Sequence, residues 1–195
     1  MGSTVLHRRE RLIITAIQII DELGIKGLST REIAKREGVS EATLFRHFKN
    51  KNELLLAVLD NFTQFDSDLF QSAQLKSLNP KESIRYILHS YMEYYESYPA
   101  MTAIMQSFDA LKYEDELSEK VQAIIKHRSA LLKHLVDDAQ RLGEIRAGVE
   151  GGALVDAMWG LCMFICLRWR IEGQTFSIKE KTLSALELIL DAFAV

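Results

Sequence analysis

Between residues 28 and 55 the chain reads LSTREIAKREGVSEATLFRHFKNKNELL, and its hydroxyl, basic and aromatic side chains recur at a spacing that suits contact with DNA. Thr30, Ser40, His47 and Lys51 offer hydroxyls, helix N-terminal amides and positive charge, the groups that hold phosphate oxygens. Glu41, Ala42, Thr43, Phe45, Arg46 and His47 share the outer side of one short predicted helix. Thr43 has a methyl that fits thymine and a hydroxyl that suits base or phosphate. Glu41 either accepts from cytosine or serves as a first-turn helix acid, and His47 either meets phosphate or fixes the helix that follows. Lys35 and Arg36 read as solvated surface.

These groups need a scaffold that presents them together. Ser29 and Thr30 are N-cap candidates, with Glu32 at capping-box distance from Ser29. Ile33 and Ala34 face inward, Gly38 supplies the positive φ of a turn, and Ser40 caps a second helix bearing Leu44, Phe45 and Phe48. Small Ala34 lets two helices approach, and Leu44 packs behind the turn. The pattern is a helix-turn-helix, whose second helix enters a DNA major groove. A preceding helix over residues 5–24 carries Leu12, Ile13, Ala16, Ile17, Ile20 and Leu23 as a stripe to cover the motif. Arg8, Arg9 and Arg11 at its start form a basic arm able to reach phosphate or remain as solvated charge.

The run G-V-S-x-A-T-L-F-R-H-F-K-N-K-x-E-L-L, residues 38–55, closely resembles the signature of TetR-type bacterial transcription regulators, and the likeness extends over residues 9–59. It implies Ala42, Thr43 and Phe45 as groove-facing residues, and Arg31 as a position that reads guanine in some members. Phe45 departs from the family pattern, which favours tyrosine there; phenylalanine packs on sugar or a thymine methyl but donates no hydrogen bond to phosphate.

The net charge of −3 is unevenly divided. Residues 1–53 hold ten basic and seven acidic side chains, and the remainder fourteen and twenty, so a basic head sits on an acidic body. With 195 residues, 48% hydrophobic and two prolines, the chain predicts an all-α fold with a sizeable core. Cys162 and Cys166 are the only cysteines and form no disulfide framework. No signal peptide or myristoylation motif is evident at the start. The most apolar run, residues 153–171, contains Asp156, Arg168 and Arg170, which argues against a membrane span and for the cytoplasm.

Beyond the head, a long helix starts at Lys51 with Leu54, Leu55, Val58, Leu59, Phe62, Phe65 and Leu69 on one face. Pro80 opens a tyrosine-rich helix, Pro99 separates a shorter one from Met101 to Leu111, and three more begin near Glu114, Gly148 and Ser177. The expected architecture is a three-helix DNA-binding head over residues 1–50 and a helical ligand-binding and dimerisation body over 51–195, about nine helices in all. In the family such body helices enclose an apolar ligand cavity, here implying Met92, Tyr95, Met105, Phe108, Trp159 and Met163; plain core is the competing reading. The last two helices, apolar on more than one face, fit the family's dimer interface.

The expected function is a dimeric repressor released from a palindromic operator by a small apolar or amphipathic ligand. A TetR-like organiser of chromosome or partner proteins, working without an inducer, is the alternative. No nucleophile–base set, phosphate loop or metal-ligand spacing appears, so neither enzyme activity nor a cofactor or metal is expected.

Overall fold

The computed structural model describes residues 7–195, so the first two residues of the helix expected over 5–24 lie outside the described part. Ten helices follow one another: α1 (Arg8–Gly27), α2 (Thr30–Glu37), α3 (Glu41–Phe45), α4 (Lys51–Leu75), α5 (Pro80–Ser97), α6 (Ala100–Gln106), α7 (Phe108–Leu111), α8 (Asp115–Arg141), α9 (Gly151–Ile171) and α10 (Ile178–Ala192). Among the described residues there is no strand, only an isolated bridge from Ile145 to Ala194. The chain divides into two compact units. One holds residues up to 64 together with 99–122, the other residues 65–98 and 123–195.

In the first unit α1 packs on α2 and on α6. Its buried stripe is Leu12, Ile13, Ala16, Ile17, Ile19 and Ile20, each at most 6% exposed. Leu23, expected to close that stripe, is 54% exposed. The chain leaves helical geometry one residue later, at Gly24 (φ 70°, ψ 173°), so the last turn has no continuing helix to shelter it. The Gly38 turn forms as expected. Gly38 is left-handed (φ 64°), its N–H reaches the Lys35 carbonyl, and the Val39 N–H reaches the Ala34 carbonyl at 2.9 Å. These two bonds close a Schellman motif and satisfy carbonyls that α2 would otherwise leave bare. Ser29 caps α2 by accepting the Glu32 N–H at 3.2 Å, but Glu32 spends its carboxylate on Arg36, so only half of the expected capping box is made. Arg36 also bridges to Glu22 at 2.8 Å.

The expected single helix from Met101 to Leu111 is two helices, which raises the total from about nine to ten. Ser107 donates its hydroxyl to the Ala103 carbonyl at 2.8 Å, offering the backbone an alternative to a continued ladder. In the second unit α10 packs on α5 and α9. Asn79 and Glu82 form a complete capping box ahead of α5, with Pro80 in its first turn. By length and composition alone α9 is apolar enough to cross a membrane, with a mean hydropathy of 1.4 over its richest window. One side of it is nevertheless core: Leu154, Val155, Met158, Cys162, Ile165, Cys166 and Trp169 are buried.

Candidate DNA-binding site and the buried cluster of the body

The recognition segment is held from below by apolar anchors and dressed above by polar groups. Leu44 is fully buried and Phe48 is 1% exposed, so α3 is pinned by its inner side. Only Glu41–Phe45 is helical; Arg46 and His47 form a turn, so the helix is shorter than the spacing of Leu44 and Phe48 suggested. Ser40 accepts the Thr43 N–H at 3.3 Å, and the two hydroxyls lie 3.1 Å apart. Arg46 donates to the Thr43 hydroxyl at 3.2 Å. Thr30, at the start of α2, donates to the Glu41 carboxylate at 2.6 Å. Thr30, Ser40, Glu41, Thr43 and Arg46 are therefore brought together, in two hydrogen-bonded sets, along the α2 and α3 entrances. Ala42 and Phe45 lie exposed on α3, Phe45 at 47%. Arg31 and Lys51 are exposed, His47 is half-buried, and the side chains of these three make no hydrogen bond among the described residues.

The basic arm is less free than its sequence suggests. Arg11 bridges to Glu37 at 2.7 Å, Glu37 also accepts from Thr15 at 2.7 Å, and the Arg9 guanidinium lies 4.8 Å over the Phe48 ring. Burial pushes the Glu37 carboxyl upward, but the Thr15 hydroxyl and the Arg11 guanidinium outweigh it and hold the group below the ordinary carboxylate range. Arg9 and Arg11 thus stiffen the head.

The second unit holds a cluster that carries charge into the core. Arg128 on α8 grips Asp66 on α4 with two bonds, Nε to Oδ2 at 2.8 Å and an Nη to Oδ1 at 2.7 Å. Tyr91 of α5 donates to the same carboxylate at 2.9 Å, and Arg128 donates to the Tyr95 hydroxyl at 3.1 Å. The guanidinium also stacks 4.7 Å over the Tyr91 ring. Burial pushes the Tyr91 phenol far up and Tyr95 up to about 12, so both remain neutral donors or acceptors. Burial opposes the charge on Arg128, but Tyr95, Asp66 and Tyr91 together hold it protonated.

The six ligand candidates fall in both units. Met92 and Tyr95 are buried and Trp159 and Met163 half-buried in the second; Trp159 meets the Tyr91 ring edge-on at 5.6 Å. Met105 and Phe108 belong to the first, where Phe108 packs edge-on to Phe62 at 5.5 Å. Three clefts in the second unit, of about 320, 250 and 340 Å³, are lined by other residues. Cys162 and Cys166 are buried free thiols. Burial raises both, Cys166 to about 12, and its thiol lies 3.8 Å from the Met92 sulfur. A raised thiol is a poor nucleophile, which leaves the pair as core.

Comparison with known proteins supplies the remaining observation. The profile described as "Bacterial regulatory proteins, tetR family" matches residues 12–58. Over the whole fold, the transcriptional regulator FadR of Bacillus subtilis, solved in complex with stearoyl-CoA, superposes with a TM-score of 0.83 at 20% identity, covering 95% of this chain and 100% of that one. Residues 12–58 are a TetR-family segment. Among sequence relatives, the fatty acid metabolism regulator protein of Bacillus subtilis is 22% identical over 92% of each chain. The nucleoid occlusion factor SlmA of Vibrio campbellii is 26% identical over 69% of each. The TetR-family match covers the helix-turn-helix and the first third of α4, and the protein is a DNA-binding transcriptional regulator rather than an enzyme.

Two charged residues inside the apolar faces of α4 and α8 carry no motif that the sequence alone singles out. Asp66 sits on the apolar face of α4, four residues after Phe62 and three before Leu69. Arg128 sits on the apolar face of α8, four residues from both Ile124 and Leu132. A charge in the middle of each inward stripe was the available signal, because ions are buried only when paired.

Proposed function

We propose that this regulator is a dimeric repressor that leaves a palindromic operator when an amphipathic small molecule binds its body. The observation that carries the reading is the continuity of α4. One unbroken helix starts with Lys51, beside the groove-facing segment, and holds Asp66 in the buried grip of Arg128 fifteen residues later. A ligand that shifts the body helices is thereby coupled to the reading head through a single element. Residues 1–50 act as the DNA-reading part, with Arg31, Ala42, Thr43 and Phe45 toward bases and Thr30, Ser40, Arg46, His47 and Lys51 toward phosphates, and residues 51–195 as the ligand-binding and dimerising part. Glu41, tied to Thr30, acts as the acceptor on that surface.

Dimerisation is supported by α9. Ala153, Ala157, Gly160, Phe164, Leu167 and Ile171 are exposed at heptad spacing, opposite its buried side, and Leu188 of α10 is 73% exposed. Such a face is self-complementary under a two-fold axis, which sets two recognition helices about 34 Å apart. The ligand class that the relatives favour is a long-chain acyl thioester, with Met92, Tyr95, Trp159 and Met163 of the second unit as its apolar contacts.

The test is a genome-wide binding selection at near-physiological salt, followed by operator titration with stearoyl-CoA or with coenzyme A alone. A few palindromic promoter sites, released by the acyl thioester and not by free coenzyme A, are the expected result. An acyl-CoA that binds free and DNA-bound protein equally would sink the release mechanism. The likeness to nucleoid occlusion factors supports one other reading: many dispersed sites, unaffected by acyl thioesters, would make this chain a chromosome-organising protein.

A further inference from the structure

We propose that the cleft between α4 and α5 is a binding site for a small organic cation, an ammonium group carried on an apolar body. The cleft, in the second compact unit, measures about 320 Å³, at the lower end of the 300–1,000 Å³ in which small molecules are usually held. Its walls are aromatic. Phe65 of α4 and Tyr94 of α5 stack with ring centres 4.3 Å apart, and Tyr98 stands 5.3 Å from Tyr94 at 45°. Tyr86 completes the wall, fixed by a 2.8 Å hydrogen bond between its hydroxyl and Ser72.

The charge lining the cleft has one sign. Asp68 and Glu93 contribute carboxylates, and no lysine, arginine or histidine lines it. Glu93 is shared with Lys179 at 3.2 Å, whereas Asp68 makes no ion pair among the described residues. Aromatic faces carry negative quadrupole potential, and carboxylates beside them add to it, so this cleft attracts a cation and repels an anionic acyl thioester. The fold already demonstrates the affinity of these rings: the Lys76 ammonium sits 5.1 Å over the face of Tyr86. The site is separate from the neighbouring buried pair, since Asp66 faces the core and Asp68, two residues on, faces outward.

Isothermal titration of the full chain with benzyltrimethylammonium tests the assignment, against the neutral near-isostere 2-methyl-1-phenyl-2-propanol. Saturable binding of the cation and none of the alcohol is expected. Asp68→Asn and Tyr94→Leu each weaken the cation about fivefold, and Asp68→Lys abolishes its binding. Asp68 is exposed, so its variants keep the wild-type melting temperature. Equal binding of the alcohol, wild-type affinity in all three variants, or no saturable heat at millimolar cation would each overturn the proposal. None of these readouts depends on DNA or acyl thioesters.

Discussion

Each compact unit contains a carboxylate, a guanidinium and a hydroxyl joined by hydrogen bonds, and the two sets differ mainly in depth. In the first, Glu37 binds Arg11 and Thr15, and the Arg11 side chain is 46% exposed. In the second, Asp66 binds Arg128 and Tyr91, and both charged side chains are at most 7% exposed. Water and counter-ions screen the first pair, so it tolerates the loss of one partner. The second is out of reach of water, and each ion is acceptable only because the other is present. A shallow cluster therefore trims the stability of the head, while a deep one enforces a single arrangement of α4, α5 and α8.

The comparison breaks most visibly at Arg128. Arg128→Met leaves Asp66 charged and buried without its partner, and should cost about 3–5 kcal/mol in urea unfolding. Adding Asp66→Leu should return most of that loss. If Arg128→Met costs no more than Arg11→Met, depth does not separate the clusters. Next in size is the turn of the head. Gly38→Ala forces a β-carbon into left-handed backbone with nothing within 4 Å to clash, so the cost is conformational, about 1–2 kcal/mol. Gly148→Ala, in open space without positive φ, should be close to neutral by the same melt.

Acid sharpens the comparison. Because the Glu37 carboxyl is held below its ordinary value, the native state takes up that proton less readily than the unfolded chain. Its contribution is complete above the unfolded value of about 4.3 and disappears as pH falls through the lower native one. The melting difference between wild type and Glu37→Gln should shrink across that window; a difference constant in pH would show that the hydrogen bond matters and its charge does not. Smallest is the surface pair of Lys120 with Asp60, 2.6 Å apart at 32% and 66% exposure. Lys120→Ala should change unfolding by under about 1 kcal/mol and fade at high salt.

The parts of the protein that were readable in advance share a property. Ser29, Gly38, Ser40 and Pro80 act on backbone within a turn of themselves, so their roles follow from type and position. The misreadings came where a neighbour in sequence lost to a neighbour in space. Glu32 has capping-box spacing yet binds Arg36, and Arg9 and Arg11 look like a free arm yet engage Phe48 and Glu37. Leu23 has the right period but follows the last sheltered turn.

The sequence by itself determined the helix-turn-helix, the order of the helices and the residues exposed on α3, because local hydrogen bonds and a 3.6-residue period act over a few residues. Tertiary structure alone decided that Asp66 meets Arg128 across 62 positions, that Thr30 meets Glu41, and that Phe65, Asp68 and Tyr94 line one cleft. These pairings depend on which helix faces register with one another. That register is set by packing volume and desolvation summed over the whole core, which no short window of sequence contains.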